Sequence, residues 1–195
     1  MKLFSKKLLA GLLGALALTY GSANATVVTF DSLKGEGEVP SVYRSIAWED
    51  GWFYLSSEFS PFDAHSSPTR IYSDANEKDF TFLAGDQVFN GAWFAGFYYV
   101  SFELYDDGAL VHSSPTLELF GTGPAQFLAS GYEGLVDTVR VLGIGGAYVM
   151  DDVTYHAEVP EPGMPGLLFA GMLAAGALNS GMRKSEKQAA QSQAG

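Results

Sequence analysis

The chain predicts an all-β fold, an antiparallel jelly-roll-like β-sandwich, on three observations. Between Thr26 and Tyr155, about ten short runs of β-branched and aromatic residues recur at roughly 8–12-residue spacing, punctuated by Gly, Asp and Pro. No stretch in that range sustains a helical apolar period. The chain of 195 residues has no cysteine, so the Cys-Trp-Cys core of an immunoglobulin domain is absent and the jelly roll is favoured over it.

The first strand is expected at Thr26-Val27-Val28-Thr29-Phe30-Asp31, β-branched and aromatic throughout. Residues 32–40, with Gly35 and Gly37, read as loop. Residues 42–48 alternate loosely, and Glu49-Asp50-Gly51 then predicts a hairpin into Trp52-Phe53-Tyr54-Leu55. Residues 56–68 are polar, with Pro61 and Pro68, and predict a surface loop. A short strand at Arg70-Ile71-Tyr72 and a turn at residues 74–79 follow. Strands are then expected at residues 80–83, 87–94 and 98–105. In the last of these, Val100, Phe102 and Leu104 share one face, while Tyr99, Ser101, Glu103 and Tyr105 share the other. Asp106-Asp107-Gly108 closes a hairpin into residues 109–112. Further strands are predicted at residues 116–120 and from residue 126. Residues 135–142 put Val139 and Val141 inward with Arg140 in water, and residues 147–155 end the domain.

Both ends read as processing segments. Lys2, Lys6 and Lys7 precede an apolar run at residues 8–18 and then Ala23-Asn24-Ala25, the pattern of a signal peptide (residues 1–25) cleaved after Ala25. At the other end, Val159-Pro160-Glu161-Pro162 leads into an apolar segment and the cations Arg183 and Lys184. Residues 163–182 are uncharged, about 20 residues or roughly 30 Å of helix, enough to cross a bilayer. One domain, residues 26–158, lies between these segments.

The C-terminal order of motif, apolar segment and basic residues resembles the PEP-CTERM sorting signal of Gram-negative bacteria. The resemblance covers residues 159–195 and implies that an exosortase, a membrane peptidase, acts at the motif after the export machinery delivers the chain. It implies transient anchoring in the inner membrane, followed by release or attachment at the cell surface. It also agrees with Phe30-Asp31-Ser32-Leu33 opening the sandwich and Met150-Asp151-Asp152-Val153 closing it. The basic cluster is thin, and a polar tail follows it.

The formal net charge is -11, and residues 26–158 alone carry 20 acids against five bases, a net -15. A phosphate backbone needs a basic surface, so nucleic acid is excluded as a partner. Asp31, Asp151 and Asp152 are candidate ligands for a structural calcium if the first and last strands lie together. In a regular strand Asp151 and Asp152 would point to opposite faces. Trp52, Trp93 and Tyr99 stand in two dense aromatic patches and are a candidate sugar platform, since aromatic faces stack on the apolar faces of sugar rings.

No catalytic residue is assigned. His65, His112 and His156 make no metal-binding spacing, and no G-x-S-x-G elbow occurs. The chain therefore reads as an exported, non-enzymatic surface or matrix protein that binds or scaffolds extracellular material such as polysaccharide. The alternative is a secreted polysaccharide-active enzyme whose acidic catalytic residues are unidentified. Mass spectrometry of the mature protein is expected to find Thr26 at the N-terminus and a C-terminus at or near residues 159–162. Recovery of Met182 would instead mark a permanent anchor.

Overall fold

In the computed structural model, residues 24–158 are described. The signal peptide up to Ala23, the Val159–Pro162 motif, the apolar segment at residues 163–182 and the Arg183-Lys184 pair lie outside the described residues. Residues Ala23–Glu158 form a compact unit with its own core. The described residues contain thirteen strands and no helix: β1 (Thr26–Val28), β2 (Glu36–Glu38), β3 (Val42–Tyr43), β4 (Ile46–Trp48), β5 (Trp52–Leu55), β6 (Arg70–Ser73), β7 (Glu77–Phe82), β8 (Val88–Asp106), β9 (Ala109–Ser113), β10 (Leu117–Phe120), β11 (Gln126–Ala129), β12 (Thr138–Gly143) and β13 (Tyr148–His156).

All pairings are antiparallel and fall into two sheets. Sheet A runs β2-β5-β6-β13-β8-β11, with β1 on β13, and sheet B runs β3-β4-β7-β12-β8, with β9 and β10 on the far edge of β8. The first and last strands do pair, Thr26 opposite Tyr155 and Val28 opposite Val153.

One strand belongs to both sheets. The sequence predicts separate strands at residues 87–94 and 98–105, but β8 is a single element of 19 residues. Its first half pairs with β13 up to Gly96, and its second half pairs with β12 and β10 from Phe97 onward. The fold-over is made by Gly96 (φ 129°) and Tyr98 (φ 70°), backbone conformations outside the β region. The two halves then face each other. Phe89 and Phe94 from the first half meet Phe102 of the second at ring-centroid distances of 4.9 and 5.6 Å.

That contact is the middle of a core rich in aromatic rings. Trp48 of sheet B meets Trp52 of sheet A edge to face at 5.7 Å, and Phe82 meets Tyr155 at 4.7 Å. Val100, Phe102, Leu104, Val139 and Val141 are fully buried, as their alternation predicts. Large apolar side chains of this kind each contribute about 2–3 kcal/mol on burial.

Three local expectations need correction. Glu49-Asp50-Gly51 does not close a hairpin: β4 pairs with β7 in sheet B and β5 with β6 in sheet A, so this turn carries the chain between layers. Residues 32–40 are not all loop, because β2 adds an edge strand beside β5. Arg140 is not free in water, because Asp79 on β7 holds it. The hairpin at Asp107-Gly108 does form, with φ of 49° and 76°, the two positive values of a type I′ turn.

A Cβ on Gly96 would collide with the Ala147 carbonyl oxygen, a backbone atom with no freedom to yield. Gly96→Ala combines that clash with a disfavoured φ, and it is expected to cost about 2 kcal/mol or more in urea unfolding. An unchanged midpoint would show that the fold-over does not depend on this glycine.

Candidate functional site

The two sheets leave two outer faces, and they differ in kind. On sheet A, residues opposite in register form a row across the strands: Leu55 faces Arg70, Asp151 faces Trp93, and Trp93 faces Phe127. The loop between β5 and β6, residues 56–69, lies over this row. His65 stacks on Trp93 with ring centroids 3.5 Å apart and planes 10° from parallel. The Arg70 Nη1 donates to the carbonyls of Leu55 and Ser57 at 3.2 and 2.5 Å.

Asp151 and Asp152 anchor that loop. The Ser66 amide donates to Asp151 Oδ2 at 2.8 Å, and the Ser66 hydroxyl donates to Asp152 Oδ1 at 2.7 Å. His65 Nδ1 lies 2.6 Å from Asp152 Oδ2. Both aspartates are buried, at 2% and 6% exposure, so strict alternation fails here. The reason is a bulge: the β13–β8 register slips between Asp151 and Thr154, and Asp152 has φ 47°. A bulge re-aims a side chain, and here it turns both carboxylates toward the same serine. Asp31 accepts from the Thr69 amide at 3.2 Å and thus ties the end of the same loop. The side chains that the sequence did not associate with these acids are His65, which contacts Asp152, and Arg70, which lies opposite Asp151 in the same row.

Burial raises the Asp151 carboxyl to about 7, with the neighbouring Asp152 charge adding to it and the amides of Ser66 and Asp152 opposing. Burial lowers Arg70, while Asp63, Asp151 and Glu58 act the other way. Asp31, Asp151 and Asp152, the candidate calcium ligands, thus share one region in which each carboxylate accepts protein hydrogen bonds. Among the described residues, a group of three carboxylates that converge within 4.8 Å is Asp86, Asp106 and Asp137, at the end of the sandwich where β8 begins and ends. Nothing in their spacing marks them, because the fold-over of β8 is what brings Asp86 beside Asp106. Burial, then Asp86, Asp107 and Asp137, raise the Asp106 carboxyl.

Outer face B is open. Three rows cross it in register: Thr81–Thr138–Tyr105, Asp79–Arg140–Glu103 and Glu77–Leu142–Ser101. In the middle row, Arg140 Nε and Nη2 donate to the two Asp79 oxygens at 2.8 and 3.0 Å, a bidentate pair. The guanidinium also sits over the Tyr105 ring, 5.2 Å from its centroid, and Tyr105 donates to Glu103 Oε2 at 2.6 Å. The hydrogen bond to Asp79 raises Arg140 above its ordinary range, and the one to Glu103 raises Tyr105. A depression of about 450 Å³ lies over Thr81, Tyr105, Thr138 and Arg140 and reaches Asp107 and Asp137.

At the other end of this face, Glu118 lies opposite Tyr99 and Phe120 opposite Phe97. Phe97, Tyr98, Tyr99 and Phe120 are exposed to 42, 61, 48 and 71%. Alternation would bury Tyr98 with Val100, but its positive φ releases it, so both tyrosines reach solvent. Phe62 of the 56–69 loop meets Phe97 edge to face at 5.8 Å and extends the aromatic surface around the fold-over.

Of the expected sugar platform, only Tyr99 is on an open face. Trp52 is fully buried in the core, because β5 turns it toward Trp48, and Trp93 lies beneath His65. Sequence reasoning missed Tyr98, Phe120, Tyr105 and Arg140. The Tyr98-Tyr99 doublet was a usable signal, whereas the Arg140–Asp79 pair is a contact across 61 residues.

No family model matches the chain, and no curated protein matches it. Among solved structures, it is similar to a DUF4465 family protein from Bacteroides caccae, with 12% identity and a TM-score of 0.44 over 69% of this chain and 100% of that one. It is similar to a variant of a family 29 carbohydrate-binding module, with 10% identity and a TM-score of 0.43 over 69% and 92%. A family 29 module from Piromyces equi gives 10% and 0.41 over 74% and 97%.

The pH dependence of Asp151 follows from its raised pKa. Above about 7 the carboxylate is charged in both folded and unfolded chains, and the fold bears the full cost of burying it. As pH falls through 7 the folded state takes up a proton first, so this residue's penalty is relieved progressively down to the ordinary carboxylate range. Thermal unfolding of the Asp151→Asn variant is expected to gain less than wild type between pH 7.5 and pH 5. Equal gains would contradict the assignment.

Proposed function

We propose that this chain is an exported, non-catalytic glycan-binding protein of the cell surface or extracellular matrix. Its signal peptide and PEP-CTERM-like segment direct export, transient anchoring and exosortase processing, and its sandwich, jelly-roll-like in connectivity, holds polysaccharide. The observation that carries the binding reading is the exposed run of Phe97, Tyr98, Tyr99 and Phe120, continuous with the ordered polar rows of outer face B. Rings held side by side on a sheet stack on sugar faces, and polar side chains already fixed by one another bind hydroxyls with little ordering cost.

The direction of the ends supports display. His156 lies opposite Val88 and Tyr155 opposite Thr26, whereas Tyr148 lies opposite Gly96. Both ends of the described chain therefore leave from the end of the sandwich opposite the aromatic fold-over, a strand length of about 26 Å. A domain held through its C-terminal end alone, once the signal peptide is cleaved, carries the aromatic corner at the end far from that attachment.

Among the described residues, the arrangement of Ser66, His65 and Asp152 supports the non-catalytic reading as far as nucleophilic chemistry goes. Ser66 donates to the aspartates directly, and His65 faces Asp152 rather than standing between Asp152 and the hydroxyl. A nucleophilic triad needs the imidazole between the two. A glycan array on residues 26–158 tests the proposal. Binding without chain shortening is expected, with Tyr98→Ala/Tyr99→Ala losing at least about tenfold in affinity while keeping its near-UV spectrum, a loss of the size that removing a stacked ring costs. Turnover of a bound polysaccharide would overturn it.

A further inference from the structure

We infer that the polysaccharide held on outer face B is neutral, an extended segment of an uncharged, hydroxyl-rich polymer, and that acidic glycans are excluded. The inference rests on the glycan-binding reading and specifies its ligand.

The charges of the face carry it. Glu77, Asp79, Glu103 and Glu118 project from the strands, and Asp107 and Asp137 line the depression. Against these six carboxylates stands one cation, Arg140, whose Nε and Nη2 donate to Asp79 and whose Nη1 donates to the Tyr105 hydroxyl at 3.3 Å. The other four bases of residues 26–158 do not line the depression. Arg70 is buried under the sheet A loop. Lys78 lies among Glu49, Asp74 and the Asp50 carbonyl. Lys34 donates to the Asp31 carbonyl, and Arg44 sits over the Tyr43 ring.

A uronate or sulfate group on this face would meet no free guanidinium or ammonium, and it would be repelled by every acid around it. That repulsion grows as salt is removed. A neutral sugar meets the opposite situation. Ionised carboxylates accept hydrogen bonds and donate none, so they recognise hydroxyl donors. The apolar faces of its rings fit against Tyr99 at one end of the face and Tyr105 at the other. From Tyr99 to Tyr105 the strand runs about 20 Å, which suits several consecutive sugars of a chain.

Affinity electrophoresis of residues 26–158 tests this, in native gels containing galactomannan, hydroxyethylcellulose, alginate or chitosan, at low and at physiological salt. At least one neutral polymer should retard the domain equally at both salts, and alginate should not retard it even at physiological salt. Tyr99→Ala should remove at least tenfold of the neutral-polymer affinity, with near-UV circular dichroism showing that the variant is folded. Retardation by alginate comparable to that by the neutral polymers would overturn the inference and leave glycan binding standing. So would retardation by chitosan alone that vanishes with salt. Failure of all four polymers would overturn both.

Discussion

The architecture depends on one strand being made to serve two sheets. β8 can do so because Gly96 and Tyr98 adopt φ values that an extended strand does not contain, so the chain reverses its layer without ending its pairing. The core follows from this, since Phe89 and Phe94 are brought over Phe102 by the same reversal. The surface follows as well. The change of parity at Tyr98 puts two consecutive tyrosines in solvent and closes the far ends of β8, so that Asp86 meets Asp106.

The outer faces then differ in how they are covered. Face A is capped by a loop tied down through Ser66, His65 and Thr69, and the cap requires two aspartates to be buried beside each other. Burying a carboxylate is costly, and burial together with the neighbouring Asp152 charge raises the Asp151 pKa. Amide donors, the His65 contact and the stacking of His65 on Trp93 offset part of it. Face B has no such cover. Its polar side chains satisfy one another in the plane of the sheet, leaving rings and carboxylate oxygens directed at solvent.

Much of the fold was legible because its strands obey the period of two. Val139 and Val141, Val100, Phe102 and Leu104 are buried as their alternation requires, and the Asp107-Gly108 turn carries its own chemistry. What was illegible depends on layers rather than strands. Glu49-Asp50-Gly51 has hairpin composition, but composition cannot tell a hairpin from a crossover between sheets. Trp52 looked like a ligand platform because its burial is decided by which layer β5 joins. Asp151 and Asp152 were expected to diverge, and only the bulge, which sequence does not announce, makes them converge. Face B was half visible: Tyr99 stood out, but Phe120 and the Arg140–Asp79–Glu103 row come together only through three pairings among four strands.

In the proposed division of the molecule, binding belongs to face B and the buried, loop-capped contacts to face A. An amide NMR titration of the isotopically labelled domain, residues 26–158, with a neutral oligosaccharide tests it most directly. Shifts are expected to concentrate in residues 97–105, 118–120 and 138–142, with Trp93, His65 and Asp151 unmoved. Shifts centred on Trp93, Phe127 and the 56–69 loop would contradict it.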